Sequence, residues 1–274
     1  MTQLRRSPRV DFGRRVLALG LACAPAVGFG AAAAPRVPIL VYHRFAAQAQ
    51  DSMTVRIENF RSHLDLLQRL QCQVVPLSEW VAWRLAWALG ERAALPSRTV
   101  VLTADDGHRT QFEVMAPMLR DRGWPATLFV YPSAISNAGY AMTWAQLREL
   151  AVDPLFAVQS HTFWHPNLVR DRAHMPAAAF QRFAADQLVR SRETLLERLG
   201  RPVTLLAWPF GLSDEGLAQQ AREAGYVAAF SLGNRSAMAD GPLFDVPRHL
   251  IVDSVDARQL GARLEAAFNG KAVS

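Results

Sequence analysis

The chain has 274 residues, is 50% hydrophobic and 20% charged, and carries 30 basic against 24 acidic side chains. That is an ordinary globular composition, with room for one large domain or two small ones. Setting aside Arg5, Arg6, Arg9, Arg14, Arg15 and Asp11 at the start of the chain lowers the formal charge from +6 to about +2, which removes most of the case for a nucleic-acid partner.

The first segment reads as an export signal over residues 1–34. A basic stretch ends at Arg14-Arg15, the apolar run "VLALGLACAPAVGFG" follows, and "AAAAP" supplies small residues for cleavage. The run is short for a membrane span and is broken by Pro25 and glycines. Arg14-Arg15 also allows a twin-arginine signal. Cys23 allows lipid attachment, the one route by which the chain would be held at a membrane. Gly20 stands where lipid-attachment signals usually carry a larger apolar residue, so plain cleavage is preferred. Loss of Cys23 leaves Cys72 alone, with no intramolecular disulfide. Cys72, in "LQCQVVPL", reads as a small buried apolar residue.

Residues 35–274 show no linker or repeat and read as one domain. In chain order, strands are expected at residues 37–43, 98–104, 126–132, 155–161, 203–209, 226–232 and 243–251. Helical patterns lie between them, at 57–70, 110–122, 176–199 and 214–224. Strands alternating with helices imply a parallel sheet with helices outside. The fold class is therefore α/β, a distorted (β/α) barrel of about seven parallel strands.

The polar residues are not scattered through this pattern. His43, Asp105-Asp106, His161, Pro209-Phe210 and Arg248-His249 all fall at or just past the end of an expected strand. In a parallel barrel those ends share one face, where active sites form. In "SHTFWHPN", His161 and His165 are four apart, a spacing that one helical turn converts into a pair of imidazoles. Two histidines and a carboxylate from another strand end make three metal ligands with positions left open. Asp-Gly is also a common turn dipeptide, so "ADDG" by itself is open to both readings. Weaker expectations concern other residues. His108 contacts a ligand or supports the site. Arg248 bonds Asp105 or forms a salt bridge at the rim. His249 points away, and His63 and His174 are solvated. Trp80, Trp83 and Trp87 recur at helical spacing as a packing stripe.

Taken together, "VPILVYHRF", "VLTADDGH", "ATLFV", "SHTFWHPNL", "AWPFG" and "VPRHLI" resemble, in this order, the polysaccharide deacetylase family (NodB homology, carbohydrate esterase family 4). The early "YH" is similar to the poly-N-acetylglucosamine deacetylase branch. The resemblance implies a metal-dependent hydrolase that removes N-acetyl groups from an N-acetylhexosamine polysaccharide and releases acetate. It implies that Asp106, His161 and His165 hold a divalent ion, Zn ahead of Co or Ni. Asp105 would be the general base and His43 the general acid. Trp208, Pro209 and Phe210 would line the substrate groove, and Arg248 is counted with the substrate-binding residues. Ala207 stands where some members carry an arginine, which leaves Asp105 without that partner.

Two other functions remain open on these residues: an inactive carbohydrate-binding barrel, and an esterase or small-amide hydrolase on the same fold. The expected protein is an exported monomer, periplasmic or secreted, whose partner is an acetylated polysaccharide. Processed protein is expected to begin near Ala34; mass spectrometry of its N-terminus after expression in the native host checks this.

Overall fold

The computed structural model describes residues 35–91 and 94–270. The export segment and Cys23 lie outside the described residues. Seven parallel strands form the centre: β1 (Ile39–Tyr42), β2 (Thr99–Asp105), β3 (Ala126–Val130), β4 (Phe156–Ser160), β5 (Leu205–Ala207), β6 (Ala228–Leu232) and β7 (Val246–Leu250). They run in the order β1-β7-β6-β5-β4-β3-β2, and β2 pairs back onto β1, with Ile39 opposite Val101 and Tyr42 opposite Ala104. The expected α/β barrel is thus present and closed.

Closure is uneven. β4 and β5 share a single pair, Ser160 with Leu206. Beside it, the side chain of Gln159 does the work of a ladder. Its Oε1 accepts from the backbone N–H groups of Thr204 and Leu205 at 2.9 and 2.8 Å, and its Nε2 donates to Pro202 O at 3.2 Å. Backbone groups that would otherwise be buried without partners are satisfied this way.

Strand alternation divides the side chains into two sets. Leu40, Tyr42, Val100, Leu102, Ala104, Leu128, Val130, Val158, Leu206 and Ala229 face outward into the core shared with the helices. Ile39, Val101, Phe129, Leu205, Ala207, Ala228, Phe230 and Val246 form a second core inside the barrel. Helix α1 (Ile57–Arg69) packs on the wall, whereas α2 (Leu77–Ala88) joins the interior set through Leu77, Trp80, Val81 and Trp83. Trp80 is fully buried, with its ring 6.2 Å from that of Phe230. The tryptophans do pack, and α2 buries them on the interior set and not on the outer wall. The long α6 (Ala177–Leu199) ends at Gly200, whose φ of 65° is the left-handed cap that glycine adopts at little cost.

Two histidines are corrected or refined by the fold. His63, expected in solvent, is fully buried. It falls on the face of α1 that also buries Phe60, Leu64 and Leu67, so one polar residue sits inside an apolar stripe. Its Nε2 donates to Val255 O at 2.7 Å, and Tyr42 Oη lies 3.3 Å from Nδ1. This arrangement holds the neutral ring, and burial depresses its pKa. His249 points away from Asp105, as the alternation requires, and is also buried, with Nε2 3.1 Å from Ser236 Oγ. Burial, then the charge of Arg263, lowers its pKa from 6.5 to about 4. Between those values the unfolded chain binds the proton and the folded chain does not. His249 therefore contributes stability above pH 6.5 that is lost as the pH falls toward 4. On its account alone, unfolding free energy is expected to drop by about 2 kcal/mol from pH 7 to pH 5. Urea titrations at the two pH values check this, and His249→Gln should flatten the dependence.

Candidate active site

At the upper end of β2 the alternation puts Thr103 and Asp105 inside the barrel and Ala104 outside. Continuing the strand would turn Asp106 outward. It does not, because Asp106 and Gly107 both take left-handed backbone conformations, φ 76° and 69°. The chain folds back over the mouth, and both carboxylates reach one site. Glycine suits this turn twice over: a Cβ on Gly107 would stand 3.1 Å from both Ile135 Cδ1 and Val130 Cγ1.

The two carboxylates have different neighbours. Asp105 is buried and held by Arg248 of β7 through two parallel bonds, Nη1 to Oδ1 at 2.8 Å and Nη2 to Oδ2 at 2.7 Å. Arg248 is itself fully enclosed. It also donates from Nη1 to Thr103 Oγ1 and from Nε to Ser231 O, both at 3.3 Å, and its guanidinium lies 5.3 Å from the Phe129 ring centre. The partner that Ala207 fails to supply to Asp105 thus comes from another strand. Arg248 has no free face for a substrate, which corrects its expected role in substrate binding. Burial works against ionised Asp105, but Arg248, followed by His161, holds the carboxyl below the usual carboxylate range.

Asp106 faces the histidines. Its Oδ1 lies 3.6 Å from Nε2 of both His161 and His165. Burial opposes its charge, and His161, His43 and His165 outweigh that burial and depress its pKa. His161 follows β4 directly. Its Nδ1 donates to Ala207 O at 2.8 Å, which leaves Nε2 as the lone pair facing Asp106. The same Nε2 is 4.0 Å from Asp105 Oδ2, so His161 is where the two carboxylates meet. Burial alone would lower the His161 pKa; Asp105, then Asp106, raise it. His165 is shifted the other way, down to about 4, by burial and then by the charge of His161.

The imidazoles do not meet on a helical turn, as their spacing suggested. Residues 161–167 form an irregular loop, with Thr162 and His165 left-handed at φ 64° and 65°, and the helix α5 (Leu168–Arg172) begins only beyond Pro166. His165 N donates to Thr162 Oγ1 at 3.2 Å, and Thr162 N to Ser160 Oγ at 3.2 Å. The rings come to 4.6 Å, nearly perpendicular. His165 is then flanked by Tyr131 at 5.3 Å and Phe210 at 4.8 Å.

One ligand atom each from Asp106, His161 and His165 lies within 4.8 Å of the others. Two imidazole nitrogens and a carboxylate oxygen suit a divalent transition ion. The hydrogen bond from His161 to Ala207 is the kind of outer support such ligands carry. The donor set and its orientation fit a metal.

His43 lies one residue past β1 and is buried, and its Nδ1 has no hydrogen-bond partner among the described residues. Burial lowers its pKa against the pull of Asp105 and Asp106. Its backbone carbonyl accepts from Gln111 Nε2 at 2.8 Å, and the same amide donates to the carbonyl of Asp105. Gln111 is fully buried, on a π-helical turn over Gln111–Met115. It ties the end of β1 to the end of β2, and the sequence reading did not single it out. Tyr131 and Tyr140, whose hydroxyls bond each other, were also missed. His108 stacks on Tyr140 and bonds Thr110 Oγ1 at 2.8 Å, a supporting position.

Of the expected groove residues, only Phe210 faces solvent, at 55% exposure and φ 59°. Pro209 is buried. Trp208 is a correction: alternation from inward Ala207 turns it outward, where it is fully buried and donates from Nε1 to Phe244 O at 2.9 Å. Arg248→Met leaves a buried carboxylate unpaired and is expected to cost about 3–5 kcal/mol. Arg248→Met combined with Asp105→Leu should recover much of that loss; urea denaturation of both variants checks it.

Residues 92–229 match the model of the family described as polysaccharide deacetylase, half of the chain and the part that runs from Asp105 through Phe210; His43 and Arg248 lie outside that match. A poly-beta-1,6-N-acetyl-D-glucosamine N-deacetylase of Staphylococcus aureus is 21% identical over 217 residues, covering 78% of this chain and 73% of that protein. Two solved structures share the fold. The Streptococcus pyogenes deacetylase PplD, in complex with acetate, has a TM-score of 0.71 at 21% identity and covers 84% of this chain and 99% of that one. IcaB from Ammonifex degensii has a TM-score of 0.71 at 24% identity, with 85% and 98% covered. With its matching segment centred on the two aspartates and the two histidines, the chain belongs to the polysaccharide deacetylase family.

Proposed function

We propose that the protein is a metal-dependent N-deacetylase that hydrolyses the acetamido group of an N-acetylhexosamine polysaccharide, releasing acetate and leaving a free amine. The observation that carries this reading is the separation of two adjacent carboxylates, one clamped by Arg248 and one facing two imidazoles, around His161. The S. aureus relative makes poly-β-1,6-N-acetylglucosamine the first substrate to examine. The basic and apolar segment over residues 1–34 supports an exported enzyme, and no helix among the described residues is long and apolar enough to cross a membrane.

In this reading Asp106, His161 and His165 hold a divalent ion, with Zn preferred over Co or Ni. When bound, such an ion supplies Lewis acidity for the acetamido carbonyl and for water. Asp105 takes a proton from the attacking water at Oδ2, the oxygen nearer His161. Arg248 keeps that carboxylate ionised beforehand and fixes its direction. It also keeps the proton affinity of Asp105 low, so Asp105 returns its proton to solvent water after the products leave, as His43 regains one from the same source. His43 gives a proton to the departing amine nitrogen. Asp105 and Asp106 favour its protonated form, and burial opposes it. One proton taken by Asp105 and one given by His43 balance over a turnover. Gln111 holds these two residues in register through their carbonyls. Phe210 borders the site with its exposed ring.

Acetate release from β-1,6-linked N-acetylglucosamine oligomers, with divalent metal supplied, tests the reading. Release from O-acetyl substrates alone would replace it with an esterase, and binding without turnover would replace it with an inactive carbohydrate-binding barrel. Role assignment is tested on the aspartates. Asp105→Asn is expected to keep the metal and lower kcat by roughly 10²–10⁴. Asp106→Asn should lose metal affinity and partly recover activity in excess metal. Metal content and rate, measured across a metal titration, distinguish the two; the opposite pattern reverses the roles.

A further inference from the structure

The loop that carries His161 and His165 also presents Trp164, which is 55% exposed. Leaving a large aromatic in water forgoes its burial energy, and nothing about this residue is loose. Its backbone N–H donates to Oε1 of the buried Gln187 of α6 at 3.1 Å. Its ring meets Phe183 edge-on at 6.1 Å and 90°. One side of the indole is anchored and the rest is displayed.

Trp164 borders a cleft of about 440 Å³, a volume within the range of ligand-holding clefts. His165, Phe210 and Met175 supply its other apolar lining, and Arg170 and Asp171 stand at the polar margin. Two of these residues belong to the site already described. His165 faces Asp106, and Phe210 packs against His165. The cleft therefore shares two of its walls with the place where the acetamido group is proposed to react.

We propose that this cleft is a subsite for the sugar unit adjacent to the reacting one. A pyranose ring stacks its C–H face on Trp164 while Arg170 and Asp171 meet its hydroxyls. The proposal rests on the deacetylase reading above. A polymer bound at the reacting centre necessarily extends beyond it, and this cleft shares His165 and Phe210 with that centre. Its lining also matches the occupant, since a sugar ring has an apolar face and a hydroxyl rim. A lipid chain has no use for the charged margin.

The test compares kcat/KM on a tetramer of β-1,6-linked N-acetylglucosamine with kcat/KM on 4-nitrophenyl acetate, which has no neighbouring sugar. For Trp164→Ala the ratio of the two is expected to fall about three- to tenfold, chiefly through KM for the tetramer. Trp164→Phe should restore much of it. An unchanged ratio, with both substrates affected alike or neither affected, overturns the subsite. If the wild-type protein releases no acetate from any oligomer, the deacetylase reading fails separately. Calorimetric titration of the same tetramer then decides the subsite: tighter binding to wild type than to Trp164→Ala supports it, and equal binding overturns it.

Discussion

A guanidinium and a carboxylate, both removed from water, sit at the top of the barrel interior. Each would be prohibitively costly to bury alone, and together they are tolerated only because the geometry is bidentate and the remaining N–H groups find Thr103 and Ser231. That requirement constrains much else. β7 must stand where Arg248 reaches Asp105 across the interior. Phe129 must lie beneath the guanidinium. Below this layer the barrel is mainly apolar, with Thr99 and Thr127 among the buried residues, so the pair lies at the boundary between a packed core and a polar mouth.

With Asp105 committed inward, Asp106 becomes useful only by leaving the strand. The two successive left-handed residues accomplish this, and the same device recurs at Thr162, His165 and Phe210. Non-glycine residues in this region are uncommon and mildly strained. Their clustering here follows from the task of bringing side chains from three separate strand ends to within a few ångströms. The strands supply a rigid base, and the strained residues aim the groups that β geometry alone would point elsewhere.

The barrel and the site were legible in the sequence to the extent that local pattern records them. Apolar runs bounded by turn residues marked all seven strands, and polar residues at their ends marked the face. The His-x-x-x-His spacing was informative about partnership but not about shape, because Thr162 and His165 take left-handed backbone conformations that no helical turn contains. What stayed hidden was set by tertiary packing. Arg248 and Asp105 are joined across 143 positions. Gln111 and His63 are single polar residues whose partners are distant backbone carbonyls. Trp208 was misplaced although its position was derivable: alternation from Ala207 turns it out of the barrel. The helices Trp144–Val152 and Ala257–Phe268 were not singled out. Thr143 with Gln146 and Asp256 with Gln259 nonetheless form reciprocal caps that the sequence displays openly.

The seal beneath the barrel has a consequence for traffic. Among the described residues, Trp80 lodged against Phe230 and the apolar side chains of the interior fill the barrel beneath the carboxylates and histidines. The carboxylates and histidines gather at the strand ends, at the opposite end of that filled interior. In the proposed deacetylase, a long chain is therefore laid across the opening like a rod over a well and not threaded past it. On that reading, units in the middle of such a chain are as accessible as those at its tips, and no free end is needed for engagement.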